Sequence, residues 1–217
     1  MLKINSELID NAAKTVVCLA GEPKAPFVNL INTAAVICAD GGVALARKCG
    51  LRPDLIIGDG DSVTEEDLKW CTDNFVELRL LSPKKNFTDG ELALAEARDF
   101  GGILYVLGGL GGRYDHMLAN IFAAVKNLKY FNAICFYYGQ VALYLLPAGN
   151  YRLHGHAGQI FSLLAITEGA EGVCLKGAQY PLNNETLPVG VGRGISNILN
   201  GDEAELSFAK GPLLVWG

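Results

Sequence analysis

Short apolar runs alternate with helical patterns along the first part of this chain, and past Pro147 the helical pattern stops. Thr15-Val16-Val17-Cys18-Leu19-Ala20 reads as a buried strand closed by Gly21. Ala35-Val36-Ile37-Cys38-Ala39 is the next strand, followed by a helix over residues 42–48. Leu55-Ile56-Ile57 is a third strand. Thr64 then precedes Glu65, Glu66 and Asp67, the residues that an N-cap and the first turn of a helix prefer. Residues 75–81 are strand-like, 88–100 a strong helix, 103–107 a strand, and 115–128 a helix after a glycine-rich turn. Alternation of this kind with short links implies a mostly parallel sheet covered on both faces. From Tyr151 onward the short β runs at 159–166, 172–175, 204–208 and 213–216 are separated by glycine, proline and asparagine, the pattern of a small antiparallel sandwich or barrel. The expected fold class is therefore α/β: an N-terminal, mostly parallel α/β sheet domain over residues 1–147 and a small C-terminal antiparallel β-sandwich over residues 148–217. A β part that small is marginal as an independent core, so it is expected to dock on the first domain or on a second subunit.

Composition narrows the function classes. Half of the 217 residues are hydrophobic and the net charge is −5, which supplies ample core but no basic field of the kind that grips nucleic acid. No run of 18 apolar residues exists, so no transmembrane helix and no membrane partner are expected. The N-terminal MLKINSELID lacks the basic and apolar regions of a signal peptide. Six scattered cysteines without a CxxC pair read as small buried thiols in a reducing compartment, so a cytoplasmic location is expected.

Three acidic blocks fall where strands end: Asp40-Gly41-Gly42, Gly58-Asp59-Gly60-Asp61-Ser62 and Thr88-Asp89. In an open α/β sheet those ends share one edge, so these residues would converge. Carboxylates gathered there repel by roughly 4 kcal/mol per pair at ~4 Å, for an effective dielectric of ~20. A magnesium ion carrying nucleotide phosphates compensates such a cluster, because Mg2+ takes one or two carboxylates plus phosphate oxygens. The blocks thus point to phosphate transfer.

Each block also has a plainer reading. Asp40 with Gly41 and Gly42 is either a carboxylate beside which phosphate or ribose approaches the backbone, or a helix cap with a tight turn. Asp59 and Asp61 can aim at one cation, or form a solvated Asp-Gly turn. Thr88 with Glu91 fits a capping box, while Lys85 and Asp89 add a phosphate ligand and a metal or substrate ligand. Gly108-Gly109-Leu110-Gly111-Gly112-Arg113-Tyr114-Asp115-His116 can cradle phosphates with backbone N–H groups and grip them with Arg113. It is neither a dinucleotide fingerprint, since Tyr114 stands where a third glycine belongs, nor a P-loop, since the chain has no Gly-Lys pair. His154 and His156 lack a third ligand and read as a polar strand edge; Ser196 and Asn197, by residues alone, read as a turn.

In order, Asp40-Gly41-Gly42, Pro53-Asp54 with Gly58-Asp59-Gly60-Asp61-Ser62, Lys85-Asn86-Phe87-Thr88-Asp89-Gly90-Glu91, Gly112-Arg113-Tyr114-Asp115-His116 with Asn120, and Ser196-Asn197 resemble the thiamine pyrophosphokinase family. The resemblance runs from about Ala39 to the C-terminus. It implies transfer of a pyrophosphoryl group from ATP to the thiamine hydroxyl, with Mg2+ and release of AMP. It implies a homodimer in which thiamine lies between the catalytic domain of one subunit and the β domain of the other. By the same resemblance, 1–147 is the catalytic, nucleotide-binding domain and 148–217 the thiamine-binding and dimerisation domain. Asp59, Asp61 and Asp89 then hold the metal, and Asp61, Asp89 and Arg113 carry the reaction. Asp40, Gly41, Gly42, Ser62, Lys85, Thr88, Gly112, Asp115, His116 and Asn120 border the nucleotide and phosphates. Ser196 and Asn197 contact thiamine.

The chain departs from the family pattern in places. Gly60 stands where the family often has Phe, and Asn86 where it has Asp. Ala165 lies near a usual proline, and Gly177-Ala178-Gln179-Tyr180-Pro181 replaces Gly-Leu-Lys-Tyr-Pro. Two rival readings use the same residues: a metal-dependent nucleotide phosphohydrolase, and a non-catalytic binding relative.

Overall fold

The computed structural model describes residues 1–21, 30, 33–82 and 86–217. In chain order it runs β1 (Lys3–Asn5), α1 (Glu7–Asp10), β2 (Lys14–Cys18), β3 (Ala35–Ala39), α2 (Gly42–Lys48), β4 (Leu55–Gly58), α3 (Glu65–Asp73) and β5 (Glu77–Leu80). Next come α4 (Asp89–Glu96), β6 (Ile103–Leu107), α5 (Tyr114–Asn127), β7 (Ala133–Tyr138), β8 (Val141–Leu146), β9 (Gly149–His154) and β10 (Ile160–Ala165). The chain closes with β11 (Ala170–Lys176), β12 (Leu182–Leu187), β13 (Asn197–Ile198), β14 (Glu203–Phe208) and β15 (Leu213–Trp216). These elements form two compact units. One comprises Ala13–Phe131 and Phe136–Gln140; the other comprises Met1–Ala12, Asn132–Cys135 and Val141–Gly217. The units interleave along the chain.

The first unit is built on parallel strands in the order β6-β2-β3-β4-β5. Successive residues of β3 and β4 are all buried, as are Thr15 to Cys18 of β2. Strands covered on both faces need such unbroken apolar runs, which is why they stand out in the sequence. Burying each Val or Ile there contributes about 1.5–3 kcal/mol. The expected strand at 15–20 ends earlier than its apolar run. Leu19 N–H makes one more bond, to Leu107 O at 2.8 Å, and the chain then leaves the sheet. The helix starts were legible as well. Thr64 Oγ1 accepts from Asp67 N–H at 3.1 Å, and Glu65, Glu66 and Asp67 fill the first turn of α3. Thr88 and Glu91 close a capping box on α4, with bonds of 2.9 and 3.1 Å. The helix expected over 88–100 is α-helical to Glu96 and tightens to a 3-10 turn over Ala97–Phe100. Arg47 of α2 ties down α3: it bonds the buried Asp67 carboxylate and Glu66, and lies over the Trp70 ring.

The second unit is wholly antiparallel where its strands pair. One array runs β1-β9-β14-β11-β12 and another runs β13-β10-β15-β8. Alternating burial in β9 and β14 places Tyr151, Leu153, Ala204, Leu206 and Phe208 inward. The N-terminal β1 adds Ile4 to this core by pairing with β9. No helix among the described residues is long and apolar enough to cross a membrane.

Candidate active site

Chain order and spatial order diverge at β2. The strands step from β2 to β3, β4 and β5 on one side, and β6 then returns to the other side of β2. That reversal makes a crevice at the carboxyl ends of β2 and β6, the place where open α/β sheets take ligands. A cleft of about 530 Å³ lies there. Its floor is Leu19, Ala20 and Gly21 after β2. One wall is Ala39 and Asp40 after β3 with Asp59, Asp61 and Ser62 after β4. The other wall is Gly108, Gly109, Gly111, Gly112 and Arg113 after β6, with His116, Met117 and Asn120 of α5. Thr88, Asp89 and Gly90 at the start of α4 complete it. Backbone proximity shapes the floor. A side chain on Gly21 would run into the carbonyl of Gly108, and one on Gly108 would run into that of Leu19.

Asp40 organises the acidic wall. It is buried at 5% exposure and has φ 46°, in the left-handed region that Asp tolerates better than most residues. Its Oδ1 accepts from Gly60 N–H at 2.9 Å and its Oδ2 from Ser62 N–H at 3.0 Å. These two bonds fold the 59–62 turn back over β3. Within the turn, Asp59 Oδ1 accepts from Asp61 N–H at 3.3 Å and Ser62 Oγ donates to Asp61 Oδ1 at 2.8 Å. As a result Asp40, Asp59 and Asp61 each present a carboxylate oxygen within 4.8 Å of the others. Burial pushes the Asp40 carboxyl up from its ordinary value, and the nearby Asp61 adds to this. Hydrogen bonds from Ser62 and Gly60 pull the other way. A group of three hard oxygen donors fits a divalent cation such as Mg2+.

Asp89 approaches the same wall from α4. Its Oδ1 and that of Asp40 each lie 3.2 Å from where a Cβ on Gly58 would sit. The missing side chain at 58 is what lets both carboxylates gather over the end of β4. Opposite, Asn120 Nδ2 donates to Gly109 O at 3.3 Å, tying α5 to the glycine turn. Arg113 bonds Asp115 through Nε at 3.2 Å and Nη2 at 2.6 Å, which holds the Asp115 carboxyl down at about 2.

The structure therefore brings Asp40, Asp59, Asp61, Ser62, Thr88, Asp89, Gly112, Arg113, His116 and Asn120 to one cleft. Asp115 stands beside it, paired with Arg113. Gly41 and Gly42 serve packing: a side chain on Gly42 would strike Cys18 O, and one on Gly41 would come within 3.0 Å of Ser62 O. Lys85 lies outside the described residues. Ser196 and Asn197 belong to the antiparallel unit. Ser196 has φ 56° and donates its N–H to Ser162 Oγ at 3.1 Å. Asn197 is buried with its amide committed to the main chain of Tyr180. Sequence reasoning did not assign the floor, Leu19 to Gly21, to the site. Its one signal was the glycine that closes the β2 run.

A parallel α/β sheet whose switch point is lined by carboxylates on one wall and by a glycine turn with an arginine on the other defines a phosphate-handling protein. The model of the thiamin pyrophosphokinase catalytic domain matches residues 27–136, and that of the thiamin pyrophosphokinase vitamin B1 binding domain matches residues 150–213. The chain belongs to the thiamine pyrophosphokinase family. Thiamine pyrophosphokinase of Bacillus subtilis (strain 168) is 30% identical over 208 residues, covering 93% of this chain and 97% of that one. The crystal structure of thiamine pyrophosphokinase from Bacillus subtilis superposes with a TM-score of 0.80 at 26% identity, over 94% of this chain and 97% of the other. The yeast thiamin pyrophosphokinase structure, at 18% identity, shares the fold with a TM-score of 0.71 over 97% of this chain and 88% of its own.

Proposed function

We propose that this chain transfers the pyrophosphoryl group of ATP to the hydroxyl of thiamine, giving thiamine diphosphate and AMP. The observation that carries the reading is the pairing, across one cleft, of the Asp40–Asp59–Asp61 group with the 108–112 glycine turn and Arg113. In the transfer, the thiamine hydroxyl oxygen forms a bond to the β-phosphorus. The bond between that phosphorus and the α–β bridging oxygen breaks, and AMP leaves with the electron pair. Asp59 and Asp61, joined by Asp40 or Asp89, would hold Mg2+. A bound Mg2+ supplies charge neutralisation to the phosphates. Asp40 keeps the 59–62 turn folded. Asp89 orients the thiamine hydroxyl or takes its proton. Arg113 and the backbone N–H groups of the glycine turn hold the phosphate chain, with Lys85 as a further phosphate ligand. Thr88, His116, Asn120 and Ser62 border the nucleotide.

The functional division is residues 1–147 for catalysis and nucleotide binding, and residues 148–217 for thiamine binding and dimerisation. Ser196 and Asn197 belong to the thiamine side. The chain acts as a cytoplasmic homodimer. The exposed Tyr114, Leu118 and Phe122, spaced by four along α5, suit burial against the 148–217 domain of a second copy. The six cysteines carry free thiols, in keeping with a reducing compartment. The test is to incubate the purified protein with ATP, Mg2+ and thiamine and to look for thiamine diphosphate by oxidation to its fluorescent thiochrome form and chromatography. Its formation supports the reading. Its absence from a folded protein at substrate saturation removes it.

A further inference from the structure

A run such as Gly108-Gly109-Leu110-Gly111-Gly112 is costly to hold in one shape, because glycine loses more conformational freedom on ordering than any other residue. Gly108, Gly111 and Gly112 all have positive φ, at 70°, 82° and 63°. Three anchors hold the run in succession. Gly108 is pressed against the carbonyl of Leu19. Gly109 is bonded by Asn120 from one side and meets the Phe136 ring from the other, at 2.9 Å from where its Cβ would be. Gly111 meets the Tyr138 ring, with ring carbons at 2.8 and 3.0 Å from the same virtual position. Gly112 has nothing within 4 Å of that position, and Arg113 follows it.

Phe136 and Tyr138 are two apart on β7 and so point to the same face. Glycine lacks a side chain, so these rings can lie directly against the main chain of the turn. Of these three supports, Tyr138 is the one nearest to Gly112 and Arg113 along the turn.

We propose that Phe136 and Tyr138 form an aromatic shelf that sets the glycine turn in its phosphate-receiving shape, with Tyr138 as the positioning residue for the backbone N–H groups around Gly111 and for Arg113. The inference rests on the assignment of this turn to the phosphate chain of ATP. Phe136 is a core residue and its shelf role is inseparable from packing. Tyr138 is only half-buried, at the end of its strand, and can be changed with less effect on the fold.

The test measures binding of α,β-methylene-ATP with Mg2+, in the absence of thiamine, to the wild-type protein and to Tyr138→Phe, Tyr138→Leu and Tyr138→Ala. Tyr138→Phe keeps the ring and should bind within about twofold of wild type. Tyr138→Ala should bind about tenfold more weakly, with Tyr138→Leu between them. The KM for thiamine should scarcely move, while the melting temperature should fall modestly in Tyr138→Leu and Tyr138→Ala, which lose part of a half-buried ring's packing, and the proteins should remain folded at the assay temperature. Equal binding by wild type and Tyr138→Ala would overturn the shelf while leaving the ATP assignment standing. Loss of binding in Tyr138→Phe as large as in Tyr138→Ala would also overturn it, since the ring would not be the operative part. Failure of the wild-type protein to bind the analogue would overturn the ATP assignment itself, and the shelf's role with it.

Discussion

Asn197 holds the main chain of Tyr180 from both sides. Its Oδ1 accepts from Tyr180 N–H at 3.0 Å, and its Nδ2 donates to Tyr180 O at 2.8 Å. The same Oδ1 also accepts from Ile198 N–H at 2.9 Å, and the residue is only 3% exposed. An amide so engaged acts chiefly by fixing the 177–181 segment. Asn197→Ala leaves buried main-chain groups without partners and should cost about 2–3 kcal/mol of stability. Its KM for thiamine should rise while that for ATP stays level; an equal rise in both would detach Asn197 from the thiamine side.

Asp59→Asn and Asp61→Asn should each lower turnover by about a hundredfold or more, the scale of losing one electrostatic partner of a phosphate group. Neither should lower stability, because each removes repulsion from the cluster. Asp40→Ala differs. It removes the two bonds that fold the 59–62 turn and should cost both stability and turnover. Thermal melts beside initial rates separate the two classes, and a stability loss in Asp61→Asn as large as in Asp40→Ala would erase the distinction.

Gly58→Ala places a methyl group 2.9 Å from the Asp40 Cβ and 3.2 Å from Asp89 Oδ1. Overpacking of this kind costs about 1–3 kcal/mol, and here it would push the two carboxylates apart. Turnover should fall more than stability does. A fully active Gly58→Ala would show that Asp40 and Asp89 need not meet over this glycine.

The strands that place the cleft were legible because parallel strands buried on both faces must be apolar throughout, and the starts of α3 and α4 because caps are local signals. Other features depend on residues distant in sequence. β1 offers three residues and one buried Ile4, too little pattern to register, and it gains its place only by pairing with β9. The hub role of Asp40 depends on a left-handed backbone and on two donors some twenty residues later. Gly41 and Gly42 suggest close ligand approach, yet their neighbours are Cys18 and Ser62. The clamp of Asn197 on Tyr180 and the rings under the glycine turn are likewise tertiary, and nothing in local spacing announces them.

Tyr151 gives the antiparallel unit an alkaline limit. Its hydroxyl donates to Pro147 O at 2.7 Å, and burial pushes its pKa from 10.0 up to about 12. Below pH 10 both folded and unfolded chains carry the neutral phenol. From there upward the unfolded chain releases the proton first, so stability is lost between pH 10 and about 12. The loss approaches roughly 3 kcal/mol. Urea denaturation at stepped alkaline pH should show a shallower decline for Tyr151→Phe than for wild type. Parallel declines would assign the alkaline limit to other groups.

The most direct measurement is AMP release from ATP and Mg2+, followed with and without thiamine. AMP is expected only when thiamine is present, in equal amount with thiamine diphosphate, and is expected nearly to disappear in Asp61→Asn. AMP release at the same rate without thiamine, or none at all from the folded wild-type protein, would contradict it.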